Sequence, residues 1–212
     1  MQTLAPVERW MAVLLAALAG YVDSIGFLQL GGLFVSFMSG NTTRMAAGLA
    51  QGDWRLAGTA GLILLLFVAG AMLGALVASG ARPHTRARVL AVEAALLLAA
   101  ALAAGLGRPV VAVTCMVVAM GLENAVFLRN GQGGVGLTYM TGALVKIGHA
   151  LAAALRGGAL RDVIPPLMLW GGLTFGAILG ALSFSIGGLV ALYPAAGLAA
   201  ALALAAGRVR AT

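Results

Sequence analysis

The stretch GGLFVSFMSGNTTRMAAGLAQ, residues 31–51, decides how this chain is built. Both of its ends are apolar, yet its centre, Ser39-Gly40-Asn41-Thr42-Thr43-Arg44, is the most polar run inside any apolar part of the sequence. Asn41 and Thr42 are favoured helix N-caps, and Gly40 permits a turn ahead of them. The pattern predicts an irregular or extended approach to Gly40, then a helix of about ten residues ending at Gln51. Such a helix is roughly 15 Å long, half the thickness of a bilayer core. An unbroken helix is the alternative. Ser36, Gly40, Thr43 and Ala47 then share one stripe, and small or hydroxyl side chains let transmembrane helices pack closely.

The surrounding composition supplies the solvent. Of 212 residues, 62% are hydrophobic and 9% charged, against ~25% charged in a soluble domain. So few charges cannot cover a globule of this size, and the chain lacks the polar tracts of a disordered one. A single all-α integral membrane domain over residues 1–212 follows. Eight apolar segments can be marked, at about Trp10–Leu30, Leu33–Gln51, Leu56–Ser79, Val89–Gly107, Pro109–Leu128, Gly134–Leu155, Val163–Leu182 and Gly187–Gly207. No charged residue falls between Val163 and Gly207. In lipid such a run must form two helices joined by a short turn, because every backbone group needs an internal partner. Nothing alternates as the strands of an outer-membrane barrel would.

Four segments followed by four point to a tandem repeat, about residues 9–107 and 109–208. Phe37-Met38-Ser39-Gly40 matches Tyr139-Met140-Thr141-Gly142 at an offset of 102, and Arg44 matches Lys146. The same offset aligns Gly70, Gly74 and Ala75 with Gly172, Gly176 and Ala177, whereas Gly20 and Asp23 align with Gly121 and Asn124 at 101. If all eight segments span, the halves are parallel and the loop cations split seven against four. If the 31–51 segment and its mate enter and return on one side, six spans remain as inverted 3+3 repeats. The split then becomes nine against two, with only Arg55 and Arg108 outside. Orientation follows the Lys/Arg bias, which favours six spans with both termini cytoplasmic in a bacterial inner membrane.

The net charge of +7 lies almost wholly in the gaps between apolar runs, so it marks topology and not a nucleic-acid surface. The N-terminal apolar run continues past Ala17-Leu18-Ala19 to about Leu30 and reads as a retained first span. Cys115 is the single cysteine, which excludes an internal disulfide or thiolate cluster. No metal and no cofactor is expected. Metalloprotease, nucleophile-elbow and phosphate-loop motifs are absent, so an enzyme is not expected either.

Several polar residues lie at membrane depth. Asp23 sits roughly 20 Å along the first segment from Trp10, and Glu123 and Asn124 hold the matching place in the second half. Buried carboxylates in lipid need a partner or a proton. Arg44 is the candidate for Asp23 and Lys146 for Glu123, giving one ion pair per repeat, used either for coupling or as a structural lock. Glu93 is expected to pair with Arg86 or Arg88 at the interface. His149, one turn beyond Lys146, reads as a packing histidine or a member of the site. Gly70-x-x-x-Gly74 and Gly172-x-x-x-Gly176-x-x-x-Gly180 read as packing faces. Trp10, Trp54 and Trp170 read as interface anchors.

The run Gly20-Tyr21-Val22-Asp23-Ser24-Ile25-Gly26-Phe27-Leu28, then Gly31 to Thr43, resembles the YoaK-like family of bacterial inner-membrane proteins. Glu123-Asn124-Ala125-Val126-Phe127 with Thr138-Tyr139-Met140-Thr141-Gly142 carries the same resemblance, which covers nearly the whole chain. It implies about six spans and no particular substrate.

Function must then come from the residues. The leading expectation is a transporter or channel for a small, anionic or carbonyl-rich solute, whose partners are that solute and the bilayer, with a homo-oligomer left open. Ser39, Gly40, Asn41, Thr42, Thr141 and Gly142 would line a midplane site between the two motifs. Arg44 and Lys146 would set its field, and Asp23, Glu123, Asn124 and His149 would couple ions or pair. The alternative is a membrane scaffold or accessory protein whose polar motifs only pack helices.

Overall fold

The computed structural model describes residues 6–79, 84–128 and 140–208. Helices α1 (Pro6–Gln29), α2 (Met38–Gln51), α3 (Trp54–Ala78) and α4 (Thr85–Gly105) form the first half. The second contains α5 (Pro109–Glu123), α6 (Met140–Ala154), α7 (Ile164–Gly187) and α8 (Leu192–Arg208). Short 3-10 turns at Leu160–Val163 and Gly188–Ala191 lead into α7 and α8. Four stretches are long and apolar enough to cross a membrane: α1, α3, α4, and the 49-residue run from Leu160 to Arg208 that contains both α7 and α8. By contrast α2, with 14 residues, is about 21 Å long and cannot cross a ~30 Å core.

The contacts give each helix a direction. An ion pair of 2.6 Å between Glu8 and Arg86 ties the start of α1 to the start of α4. At this first end of the bundle, Gly207 of α8 also lies against Ala87. Tyr21 donates to the Ala191 carbonyl toward the opposite, second end, and Tyr193 reaches Gly105 there. Helix α7 runs parallel to α1, because Gly172, Gly176 and Gly180 lie in turn on Val13, Ala17 and Tyr21. Likewise α3 runs parallel to α5, with Gly70 and Gly74 on Val118 and Leu122. Helix α4 fills the remaining space, packed against α8 and α5.

These two crossings use the same design. Gly20 of α1 touches the Leu173 carbonyl and the Ala177 nitrogen of α7, and Gly121 of α5 touches the Phe67 carbonyl and the Ala71 nitrogen of α3. A methyl on any of these glycines would strike the backbone of the facing helix. Omitting the Cβ lets two helix backbones meet, which is how helices gain van der Waals contact where lipid is as apolar as leucine. The contacts align Gly70 and Gly74 with Gly176 and Gly180, an offset of 106. The match expected from the sequence was with Gly172 and Gly176 at 102. The connection between α6 and α7 is longer than the two-residue Gly52-Asp53 link between α2 and α3.

The fifth segment is shorter in regular helix than the 109–128 span expected. It ends at Glu123 because the Asn124 amide donates to the Met120 and Gly121 carbonyls, satisfying acceptors that a continuing helix would use. The aligned residue in α1 is Asp23, an acceptor only when ionised. It cannot cap its own carbonyls in this way, and α1 continues to Gln29.

Candidate functional site

After Gln29 the chain reverses through Leu30, Gly31 and Gly32. The two glycines take φ of 63° and 106°, a region L side chains rarely adopt. Residues 33–37 then run back along α1, with Val35 seated on Gly26, where no side chain stands in the way. A non-helical segment in a membrane protein must find hydrogen bonds within the protein. Two side chains supply them here. One oxygen of Asp23 accepts from the Val35 N–H at 2.9 Å and the Ser36 N–H at 2.7 Å. The Asn41 amide grips Phe34 from both sides, accepting from its N–H at 2.9 Å and donating to its carbonyl at 2.7 Å.

This geometry revises the expected roles. Helix α2 begins at Met38, three residues before Asn41, so neither Asn41 nor Thr42 is an N-cap. Asn41 is buried and turned back onto the extended segment, while Thr42 and Thr43 donate to carbonyls one turn back in their own helix. Asp23 is joined to backbone N–H groups and not to Arg44. The Arg44 guanidinium lies against Gly32 instead, where a Cβ would stand 2.9 Å from it. Gly40 is covered by the Phe34 ring.

Helix α2 packs antiparallel on α3, with Met45 over Gly61 and Gly48 against Ala57. That register carries Met38 to about the level of Val68, midway along α3, while Gln51 stays beside Trp54 at the second end. The expected break in the 31–51 segment is therefore present, and α2 returns to the end from which α1 delivered the chain. Ser39, Thr42 and Thr43 are exposed near this mid-depth start.

In the second half α6 also begins at a methionine, Met140, at the offset of 102. Thr138 and Tyr139 of its signature lie outside the described residues, as do Arg82, Arg129 and Arg210. Thr141, Lys146 and His149 are exposed and Gly142 is half-buried. Lys146 does not reach Glu123, so neither expected ion pair forms among the described residues. Helix α2 packs on α3 and α6 on α7, and the two short helices share no packed face. The expected meeting of the two motifs is thus not a direct one. Asn124 and Ala143 occupy the positions aligned with Asp23 and Asn41, and the segment they would face lies outside the described residues.

Sequence reasoning also misplaced Glu93. Arg86 pairs with Glu8 and stacks over the Phe127 ring at 5.4 Å, and Arg88 is 3.4 Å from Thr85. Glu93 is left fully buried between α4 and its neighbours, as Glu123 is on α5. Its spacing was the available signal: seven residues past Arg86 and five past Arg88, it stands about 8–10 Å deeper.

Long apolar helices, glycine-mediated crossings and a segment that turns back inside the bundle define a multi-pass, all-α membrane protein. The chain belongs to the family described as "Protein of unknown function (DUF1275)", which matches residues 11–205. It is 38% identical over 176 residues to the UPF0700 transmembrane protein RA0705 of Rhizobium meliloti (strain 1021), covering 83% of this chain and 76% of that one. It is 26% identical over 152 residues to the UPF0700 transmembrane protein YoaK of Bacillus subtilis (strain 168), covering 68% of each. No solved structure matches the chain.

Proposed function

We propose that the protein passes a small anionic or carbonyl-rich solute across a bacterial inner membrane, through two inverted repeats of three spans each. One observation carries this reading: the first turn of α2, with exposed Ser39 and Thr42, stands at mid-depth on a helix too short to span. The positive end of a helix dipole at that depth suits an anion or a carbonyl. The Thr42 hydroxyl is already bonded to the Met38 carbonyl, which leaves the exposed Ser39 hydroxyl as the group poorly suited to lipid. Ser39, Thr42, Thr141 and Gly142 line the path in this reading, with Arg44 and Lys146 as its cations. Asn41 and Asp23 shape the segment from behind.

The paired crossings support the repeat, since α1 on α7 and α5 on α3 use equivalent residues at fixed offsets. Opposite helix directions in the two halves support its inversion. The first end holds Arg9, Arg86, Arg88, Arg156, Arg161 and Arg208, and the second holds Arg55 and Arg108. That bias makes the first end, with both termini, the cytoplasmic one.

Flux of small organic and inorganic anions into proteoliposomes tests the site. Arg44→Ala and Lys146→Ala should each slow the transported solute by about tenfold, equivalent to ~1.4 kcal/mol at the barrier. If both variants fold and every flux is unchanged, the site is wrong. The scaffold reading has a specific observation of its own, because Asp23 and Asn41 spend their hydrogen bonds inside the protein, on the backbone of residues 34–36 and, for Asn41, also on the Met38 sulfur. It predicts that motif variants lose stability with no change in flux, and that a fixed partner co-purifies.

A further inference from the structure

Helices α4 and α5 form an antiparallel hairpin around Leu106–Arg108, and Arg86 over Phe127 fixes its register. Counting from the turn brings Glu93 and Glu123 to nearly the same level, well inside the bundle. Both are 0% exposed, and none of their four carboxyl oxygens has a hydrogen-bond partner. Each lies within the electrostatic reach of the other.

No described cation answers them. On α1, Asp23 accepts from Val35 and Ser36, and Tyr21 donates to Ala191. On α4, Arg88 turns toward Thr85. Arg55 of α3 is exposed, Tyr193 of α8 sits by Gly105 at the second end, and Cys115 is two helical turns from Glu123. The matching position to Glu123 in the first half, at the offset of 101, is the buried Val22. The carboxyl pair thus joins one helix of each half, Glu93 from α4 and Glu123 from α5.

Two neighbouring carboxylates in an apolar interior cannot both stay ionised without a counter-charge. A metal ion of the oxygen-binding kind takes six to eight ligands, and no third His, Cys, Asp or Glu gathers here among the described residues. A proton needs no more than the pair itself: the protonated carboxyl donates to the carboxylate, and one hydrogen bond serves both.

We propose that Glu93 and Glu123 together form a proton-binding site in the core, holding at least one exchangeable proton between α4 and α5. The site goes beyond the solute-path reading. It rests on the packing of α4 against α5 and stands or falls separately from any flux result.

Infrared difference spectra of the lipid-reconstituted protein, stepped from neutral to strongly alkaline buffer, test it. The wild type should show a protonated carboxylic-acid C=O band at neutral pH, shifted in D2O and lost on the alkaline side. The double variant Glu93→Gln/Glu123→Gln, which keeps both shapes without the acid, should lack the band. Carbon-13 labelling of glutamate in the wild type gives a second readout that needs no variant. Glu93 and Glu123 are two of only three glutamates, and the third, Glu8, pairs with Arg86, so the band should move with the label. No acid band at neutral pH, a band that ignores the glutamate label, or one that survives in the double variant overturns the proposal.

Discussion

Asp23 and Asn41 solve one problem from two directions. The segment from Leu33 to Phe37 is neither helix nor strand, so its N–H and C=O groups would be stranded inside the bundle. A carboxylate accepts two N–H bonds on one oxygen, and a carboxamide both gives and takes at Phe34. Each buried group left without a partner costs about 1–3 kcal/mol. Asp23→Ala, which orphans two N–H groups, should therefore lower the melting temperature in detergent more than Asp23→Asn, which keeps an acceptor. Asn41→Ala should be comparably damaging, and Asn41→Asp less so. If Asp23→Ala melts with the wild type, the carboxylate is not what holds the segment. Sequence alone located these residues but not their partners. It weighed Arg44 for Asp23 because opposite charges attract, whereas the nearest unsatisfied donors were uncharged amides created by the fold itself.

At the scale of elements, the glycines separate into those that touch and those that do not. Gly176 and Gly70 lie on facing backbones, and Gly58, also inside α3, meets nothing within 4 Å. Overpacking typically costs about 1–3 kcal/mol, and a rigid helix backbone leaves no flexible side chain to yield. Gly176→Leu and Gly70→Leu should both sharply reduce the monodisperse fraction on gel filtration after heating, while Gly58→Ala should leave it unchanged or raised. Equal behaviour of all three variants would contradict the crossings. The long helices and the break after Gln29 were legible in hydropathy and in the polar run at 39–44. The likeness of the two glycine crossings was not, because low-complexity apolar helices align almost as well four residues apart, and only the facing backbones set Gly70 and Gly74 beside Gly176 and Gly180 as equivalents. The early stop of α5 was hidden for a related reason. Asn124 looked like the mate of Asp23, and a donor in place of an acceptor reverses what the position can do.

For the whole molecule, the direction of every helix converts into an accessibility pattern. Gly52 closes the α2–α3 link at the second end, and Gly157 lies in the connection to α7 at the first. With Cys115 replaced by alanine, single cysteines at these two glycines should react with an impermeant thiol reagent from opposite faces of the membrane. Labelling from one face would return the chain to eight spans and parallel halves. The halves are also interleaved, since α1 packs on α7 and α3 on α5. Separate chains ending and restarting at Gly107 should co-purify when expressed together, and neither should be monodisperse alone. Interleaving has a consequence for biogenesis. The ribosome delivers α1 first, but the helix that covers its glycine face is made more than 130 residues later. Until then α1 waits in the bilayer with that groove filled only by lipid or by an insertion factor. Nascent chains stalled before α7 should be the ones that the cell's quality-control proteases find first.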